Sequence, residues 1–263
     1  MLAAERRQLI LDKLQEDKKV VVSELSEQFA VSEETIRRDL DKFEKQGIVT
    51  KGYGGAVLKE DGKADMPFNI RKKKNMQGKR VIGEILAGLI DDGEHIILDP
   101  STTAISIIKA LRSKKNLTII TNSIEVLVEL AGDSEWNVIS TGGNLLGDYL
   151  ALLGTKAVEN ISSYHVDKAI ISCKGIDMAG GITDANELFS HVKRTMLKSA
   201  DQRILAVDYT KFEITAFSQI CDMAEIDIVV TDMKPSGRWL TYFEEKGIKC
   251  LYGEMYESNS IRE

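Results

Sequence analysis

Apolar positions recur at helical spacing through the first 46 residues. They are Leu9, Ile10 and Leu14 in "RRQLILDKLQED", Leu25 and Phe29 in "ELSEQF", and Ile36, Leu40 and Phe43 in "SEETIRRDLDKFEKQG". Three helices are expected. Ser23 and Ser32 are N-cap residue types ahead of the second and third. Glu33 and Glu34 fall in the first turn of the third helix, where the helix dipole favours acids, and Gly47 ends it. "IVTKGYGGAV" then gives two short β-like runs around a glycine-rich tip, the pattern of a hairpin.

From about residue 81 the pattern changes. β-Branched, apolar runs recur at "HIILD", "LTIIT", "WNVIST", "VDKAIIS", "RILAV" and "DIVVTD". Helical stretches such as "TAISIIKALRS", "SIEVLVELAG" and "ANELFSHVKRTMLKSA" lie between most of them. Strands alternating with helices predict an α/β domain built on a mainly parallel sheet covered on both faces. The expected organisation is therefore a helical and hairpin domain over 1–58, a basic linker over 59–80 and an α/β domain over 81–263.

Composition narrows the reading. Of 263 residues, 43% are hydrophobic and three are prolines, which describes a globular chain. The longest apolar runs, such as "VIGEILAGLI", are too short and too interrupted to span a bilayer. The opening "MLAAERRQLILDKL" lacks the apolar core of a secretion signal, so a cytoplasmic location is expected. Cys173, Cys221 and Cys250 form neither a disulfide framework nor a zinc pattern, and His95, His165 and His191 are equally scattered. No metal and no cofactor is expected. The net charge of −6 is uneven. Residues 1–58 hold 10 Lys and Arg against 11 Asp and Glu, residues 59–80 hold 8 against 3, and the remainder 17 against 27. An acidic body with a basic neck argues against wholesale wrapping of nucleic acid and leaves room for a focused contact.

The third helix offers one. Opposite its apolar face lie Glu34, Thr35, Arg38 and Lys42, with Arg37 on the flank. Two short helices joined by a tight turn, the second presenting Thr and Arg outward, fit a helix-turn-helix. An arginine can bond guanine through two contacts, and a threonine can meet a base edge or a phosphate. The hairpin is then a wing, with Lys51 and Tyr53 near the DNA backbone and Gly54 and Gly55 permitting close approach. Periodicity alone leaves a merely solvated face equally open.

The run "VSELSEQFAVSEETIRRDLDKFEKQGIVTKGYGGAVL", with "VSEETIRRDL" and the closing "YGGA", closely resembles the winged helix-turn-helix of DeoR-type bacterial transcriptional regulators. The resemblance continues through "LDPSTTA", "TNS", "TGG", "KGID", "GGITD", "VDYTKF" and "VVTD", nearly the whole chain. It implies DNA contacts from Ser32, Glu34, Thr35, Arg37, Arg38, Lys42, Lys51, Tyr53, Gly54 and Gly55. It also implies a carboxy-terminal domain related to sugar-phosphate isomerases that senses a phosphorylated sugar. Many members carry His where this chain has Tyr53, and Gly where it has Ser101. Leu146 and Ala151 stand where many relatives have an arginine and a serine.

The residues themselves supply a compatible ligand site. Ligands of open α/β sheets sit beyond the carboxyl ends of strands. Three such ends carry small polar residues or glycines: Asp99 with Ser101, Thr102 and Thr103; Thr121, Asn122 and Ser123; and Gly142 with Gly143. Hydroxyls and free N–H groups there suit phosphate, and each set is equally explained by helix capping. Lys174, Asp184, Glu187, Lys193 and Lys211 add the carboxylates and ammonium groups that a sugar phosphate wants, and surface salt bridges explain the same residues. The resemblance favours Asp184, Glu187, Lys193 and Lys211 as ligand-facing.

A ligand-controlled regulator is expected: a repressor of a sugar-utilisation operon, bound to double-stranded operator DNA as a homo-oligomer, dimer or tetramer, and released by a sugar phosphate. The alternative is a sugar-phosphate isomerase or deaminase with an accessory DNA-binding segment, using carboxylates as general bases. A dinucleotide-binding redox sensor lacks a G-x-G-x-x-G joining strand to helix.

Overall fold

A computed structural model describes residues 1–45, 47–59, 66–132 and 135–253. The chain forms two compact units that divide between Arg71 and Lys72.

The first unit runs α1 (Ala3–Asp17), β1 (Lys19–Val21), α2 (Val22–Phe29), α3 (Glu33–Lys45), β2 (Val49–Gly52) and β3 (Gly55–Leu58), followed by α4 (Phe68–Lys73). The three expected helices and the hairpin are present. Ile10, Leu14, Leu25, Ile36, Leu40, Phe43 and Ile48 form its core, whereas Leu9 faces solvent and Leu11 takes its expected inward place. Ser32 Oγ accepts the Thr35 N–H at 3.3 Å, as its capping role requires. Gly47 turns the chain out of α3 at φ 70°, a left-handed conformation that favours glycine.

Ser23 is a correction: α2 begins two residues earlier, behind Val21, and no side chain caps it. Its first N–H, that of Val22, instead donates to the Gly54 carbonyl at 2.8 Å. A hydroxyl cap is redundant where the sheet supplies the acceptor. The sheet does so because the three-residue β1 pairs antiparallel with β3, making an order β1-β3-β2.

Asp39 occupies the inward face of α3, almost fully buried. Its carboxylate accepts from Arg6 Nε at 2.7 Å and lies 3.8 Å from Arg7 Nη1. This ion pair pins α3 to α1 among aliphatic side chains.

The expected linker over 59–80 is largely structured where it is described; residues 60–65 lie outside the described residues. Met66 and Ile70 join the core of the first unit, and Phe68 is buried. The lysine count masks these apolar positions in the sequence. The second unit opens directly after them with α5 (Met76–Ala87), capped by the Asn75 side chain.

The remaining elements are β4 (His95–Leu98), α6 (Thr102–Ala110), β5 (Thr118–Thr121), α7 (Ile124–Leu130), β6 (Asn137–Ser140), β7 (Asn144–Leu146), β8 (Ala151–Leu153) and α8 (Thr155–Ser162). After them come β9 (Val166–Ile171), β10 (Gly175–Asp177), β11 (Gly181–Asp184), α9 (Glu187–Lys198), β12 (Ala200–Ala206), β13 (Ser218–Cys221), β14 (Ile228–Thr231), α10 (Gly237–Glu245) and β15 (Lys249–Tyr252). All six expected strands lie in one seven-stranded sheet of order β15-β14-β12-β9-β4-β5-β6. Every pair in it is parallel. A smaller antiparallel sheet, β10-β11-β13, and the β7–β8 hairpin sit outside it. From β4 the chain proceeds to β5 and β6 on one side, and from β9 to β12, β14 and β15 on the other. The topological switch point therefore lies between β4 and β9, where Leu98 pairs with Ile170. A crevice beyond the strand ends is expected there. Among the described residues no helix is long and apolar enough to cross a membrane.

Removing one partner of a buried ion pair leaves an uncompensated charge in the core. Asp39→Ala should destabilise the first unit by about 3–5 kcal/mol. Urea unfolding of the full chain, followed by circular dichroism, should show an early transition; an unchanged profile would mean that Arg6 reaches water.

Candidate functional site

Two surfaces carry the expected residues. On the first unit, Ser32, Glu34, Arg37, Arg38 and Lys42 are exposed, as Ile36, Leu40 and Phe43 are buried opposite them. Thr35 is half-buried, and its hydroxyl lies 3.0 Å from Ser32 Oγ. Arg37 is ion-paired with Glu33 one turn back. Lys51 ties the wing to α3: its ammonium pairs with Asp41 and lies 3.6 Å from Glu44, and its N–H donates to Glu44 at 3.2 Å. The Asp41 bond raises the Lys51 pKa above its ordinary value and lowers that of Asp41. Tyr53 stands fully exposed at the hairpin tip, next to Gly54.

On the second unit, the polar cluster at the switch point centres on Lys193 of α9. Its buried ammonium lies 3.0 Å from Asp99, 2.6 Å from Asp184 and 2.7 Å from the Ser172 carbonyl. Burial lowers the pKa of that ammonium, but Asp184 and Asp99 outweigh burial and hold it above the ordinary lysine value. All three N–H directions are taken. The expectation that Lys193 offers its charge to a ligand is therefore revised: it locks two carboxylates in place. Asp99 also accepts from the backbone N–H of Ser101 at 3.2 Å and Ser172 at 2.9 Å, and Asp184 from that of Ala185 at 2.7 Å.

The strand-end hydroxyls divide between structural and open roles. Ser101 Oγ caps α6 by accepting from Ala104, and Ser123 Oγ caps α7 by accepting from Val126. Ser101 sits in extended backbone at φ −87°, so a glycine is not needed there. Thr121 donates to the Leu98 carbonyl at 2.8 Å, joining two strand ends. Thr102 and Thr103 begin α6, and among the described residues their hydroxyls and N–H groups have no hydrogen-bond partner. Asn122, beside Asp99 in the sheet, donates to the Leu152 carbonyl at 2.9 Å, while its buried Oδ1 is without a partner.

The other expected residues are placed differently. Gly143 adopts φ 115°, and a Cβ there would fall 2.6 Å from the Leu153 carbonyl oxygen, so it serves close packing of β8; Gly142 precedes it at φ 64°. Glu187, exposed on the first turn of α9, lines a separate groove of about 480 Å³ with Thr155, His191, Arg194 and Ser218. Lys174 is half-buried, and its N–H donates to the Thr183 carbonyl at 3.0 Å. Lys211 is half-exposed in the turn after β12 and, among the described residues, forms no ion pair. The adjacent Phe212 bridges Ile176, which places Lys211 near Cys173, and burial raises the Cys173 thiol pKa despite Lys193 and Lys211. Sequence reasoning missed the Ser172 carbonyl, which has no sequence signal, and Asp208 and Asp232. The signal was an aspartate just past a strand: Asp208 caps the turn that holds Lys211, and Asp232 accepts from Tyr209 at 2.8 Å and Asn75 at 2.9 Å.

Replacing Lys193 by Met should destabilise the second unit by about 3–5 kcal/mol at pH 8, because two carboxylates then face each other without a cation. Mutual repulsion raises the pKa of one of them in the folded variant. A raised folded pKa contributes stability only below it, so the deficit relative to the parent should shrink between pH 8 and pH 5. Denaturant titrations at both values check the sign.

Comparison with known proteins agrees with this division. Residues 6–61 match the model of the DeoR-like helix-turn-helix domain, and residues 74–233 that of the DeoR C terminal sensor domain. An uncharacterized HTH-type transcriptional regulator of Bacillus subtilis, YulB, is 38% identical, covering 95% of this chain and 96% of its own. The HTH-type transcriptional repressor GlcR of the same organism is 35% identical, covering 98% and 99%. A solved ribose 5-phosphate isomerase A from Methanocaldococcus jannaschii is 17% identical, with a TM-score of 0.37 over 53% of this chain and 55% of that one. With a winged helix-turn-helix and a sensor domain in the family's order, the chain belongs to the DeoR family of DNA-binding transcriptional regulators.

Proposed function

We propose that the protein represses a sugar-utilisation operon and releases its operator when a phosphorylated sugar fills the crevice between β4 and β9. One observation carries this reading: the first turn of α6 leaves the Thr102 and Thr103 hydroxyls and N–H groups open to an anion. Ser101 caps the helix through Ala104 alone. A helix start with unused donors is suited to phosphate. Lys211 supplies an unengaged cation to the same neighbourhood. Asp99 and Asp184, held by Lys193, offer their remaining lone pairs to sugar hydroxyls. Repression follows from the likeness to GlcR, an HTH-type transcriptional repressor.

Chemistry favours a sensor over an isomerase or deaminase. A general base must take a proton from its ligand. Both carboxylates here instead share a neutralising ammonium and accept backbone N–H groups, an arrangement suited to binding. Operator binding needs two reading helices over two half-sites, so the working species is a homodimer or a tetramer. An effector acts only through unequal affinity for the bound and released states, so operator and sugar phosphate must weaken each other reciprocally.

A thermal-shift panel of sugar phosphates tests the ligand: a ligand at a hundred times its Kd stabilises the folded state by about 2.7 kcal/mol. Lys211→Ala should weaken the responding compound about ten- to a hundred-fold, as loss of a charge-assisted hydrogen bond does. Operator affinity without effector should stay nearly intact. In a reporter strain the variant should repress permanently, whatever the inducer. Turnover of the sugar phosphate that disappears with Asp184→Asn would favour the enzyme, and loss of operator binding in folded Lys211→Ala would remove Lys211 from the effector site.

A further inference from the structure

The reading helix carries two Glu–Arg pairs at the same i, i+4 spacing, and they behave differently. Glu33 and Arg37 close on each other as an ion pair. Glu34 and Arg38, one residue further round, do not pair, and among the described residues neither has any other charged partner. Both side chains are exposed. Glutamate N-terminal to arginine at this spacing is a favourable helix pair. Its open state leaves one acceptor and one donor fork side by side on the outward face.

Of the bordering groups, Lys42 is exposed and, among the described residues, forms no ion pair, while the others are already engaged. Thr35, next to Glu34, has its hydroxyl against Ser32 Oγ. Arg37 is held by Glu33, and Lys51 by Asp41 and Glu44. A lone carboxylate on a surface that approaches phosphates repels them unless a donor meets it. In the major groove that donor is the cytosine N4 amino group, the partner suited to a glutamate, as guanine O6 and N7 suit an arginine.

We propose that Glu34 is a specificity-determining residue that accepts a hydrogen bond from cytosine N4, beside Arg38 on a guanine. Four residues of helix rise about 6 Å, against about 3.4 Å per base step on a strand, so the two bases lie no more than about two steps apart. The half-site should thus contain a cytosine and a guanine at that separation. Glu34 contributes discrimination and no attraction to the backbone.

Selection of bound duplexes from a pool with a randomised core, using the full chain, reads this directly. The parent should select both bases. Glu34→Gln should change the preferred base at the cytosine position to adenine, because an amide bonds adenine N6 and N7. The guanine position should stay unchanged. Glu34→Ala should lose discrimination at the cytosine position alone, by about ten- to a hundred-fold. Because Glu34 is exposed and outside the core, thermal unfolding of both variants should stay close to the parent, lowered only by the loss of one charge from the first turn of α3. Identical base preferences in parent, Glu34→Gln and Glu34→Ala would overturn the proposal. So would Glu34→Ala binding all duplexes more tightly by one common factor, since that marks simple repulsion of phosphate. Failure of every protein to bind duplex DNA would count instead against the DNA-binding reading itself.

Discussion

One buried ammonium organises the carboxyl edge of the large sheet. Lys193 projects from α9 and finds three acceptors on three other segments: Asp99 after β4, Asp184 at the end of β11 and the Ser172 carbonyl after β9. Desolvating three charges is costly, and the arrangement persists only because every donor and several spare lone pairs are satisfied. The consequence is positional. Asp99 cannot swing away from the switch point, and through its bonds to Ser101 and Ser172 it fixes the start of α6 and the end of β9. The open Thr102 and Thr103 groups are thereby presented from a rigid frame.

The first unit solves a related problem with the opposite sign. Asp39 is the buried anion, and Arg6 and Arg7 bring the cations from α1. In each unit a buried ion pair holds the helix that carries outward-facing polar groups. For α3 this sets the rotation that buries Ile36, Leu40 and Phe43 while Glu34, Arg38 and Lys42 face water.

The sequence was readable where periodicity and local chemistry agree. β-Branched runs marked six strands of the seven-stranded sheet, and Ser32 and Gly47 marked the ends of α3. It was unreadable where a tertiary partner decides. Ser23 resembles a cap, but the acceptor comes from the wing. β1 is three residues long, and β10, β11 and β13 pair in antiparallel fashion outside the alternating pattern. Residue type selected Lys193 and Glu187 for the site, yet type does not reveal that the first is consumed internally and the second lines another groove. Asp39, a charged residue among apolar positions, looks solvated until its arginines are known.

The internal pairing of Lys51 bears on the thermodynamics of DNA docking. A free surface lysine sheds condensed counterions from DNA when it meets a phosphate, and that release steepens the dependence of affinity on salt. Lys51 already holds Asp41 and Glu44 as covalently attached counterions. A phosphate that takes Lys51 returns two carboxylates to water, and these gather fresh cations as DNA gives its own up. The two fluxes oppose each other. The apparent number of ions released on docking is then smaller than the number of basic side chains at the interface, and charge counting overstates the electrostatic share of binding.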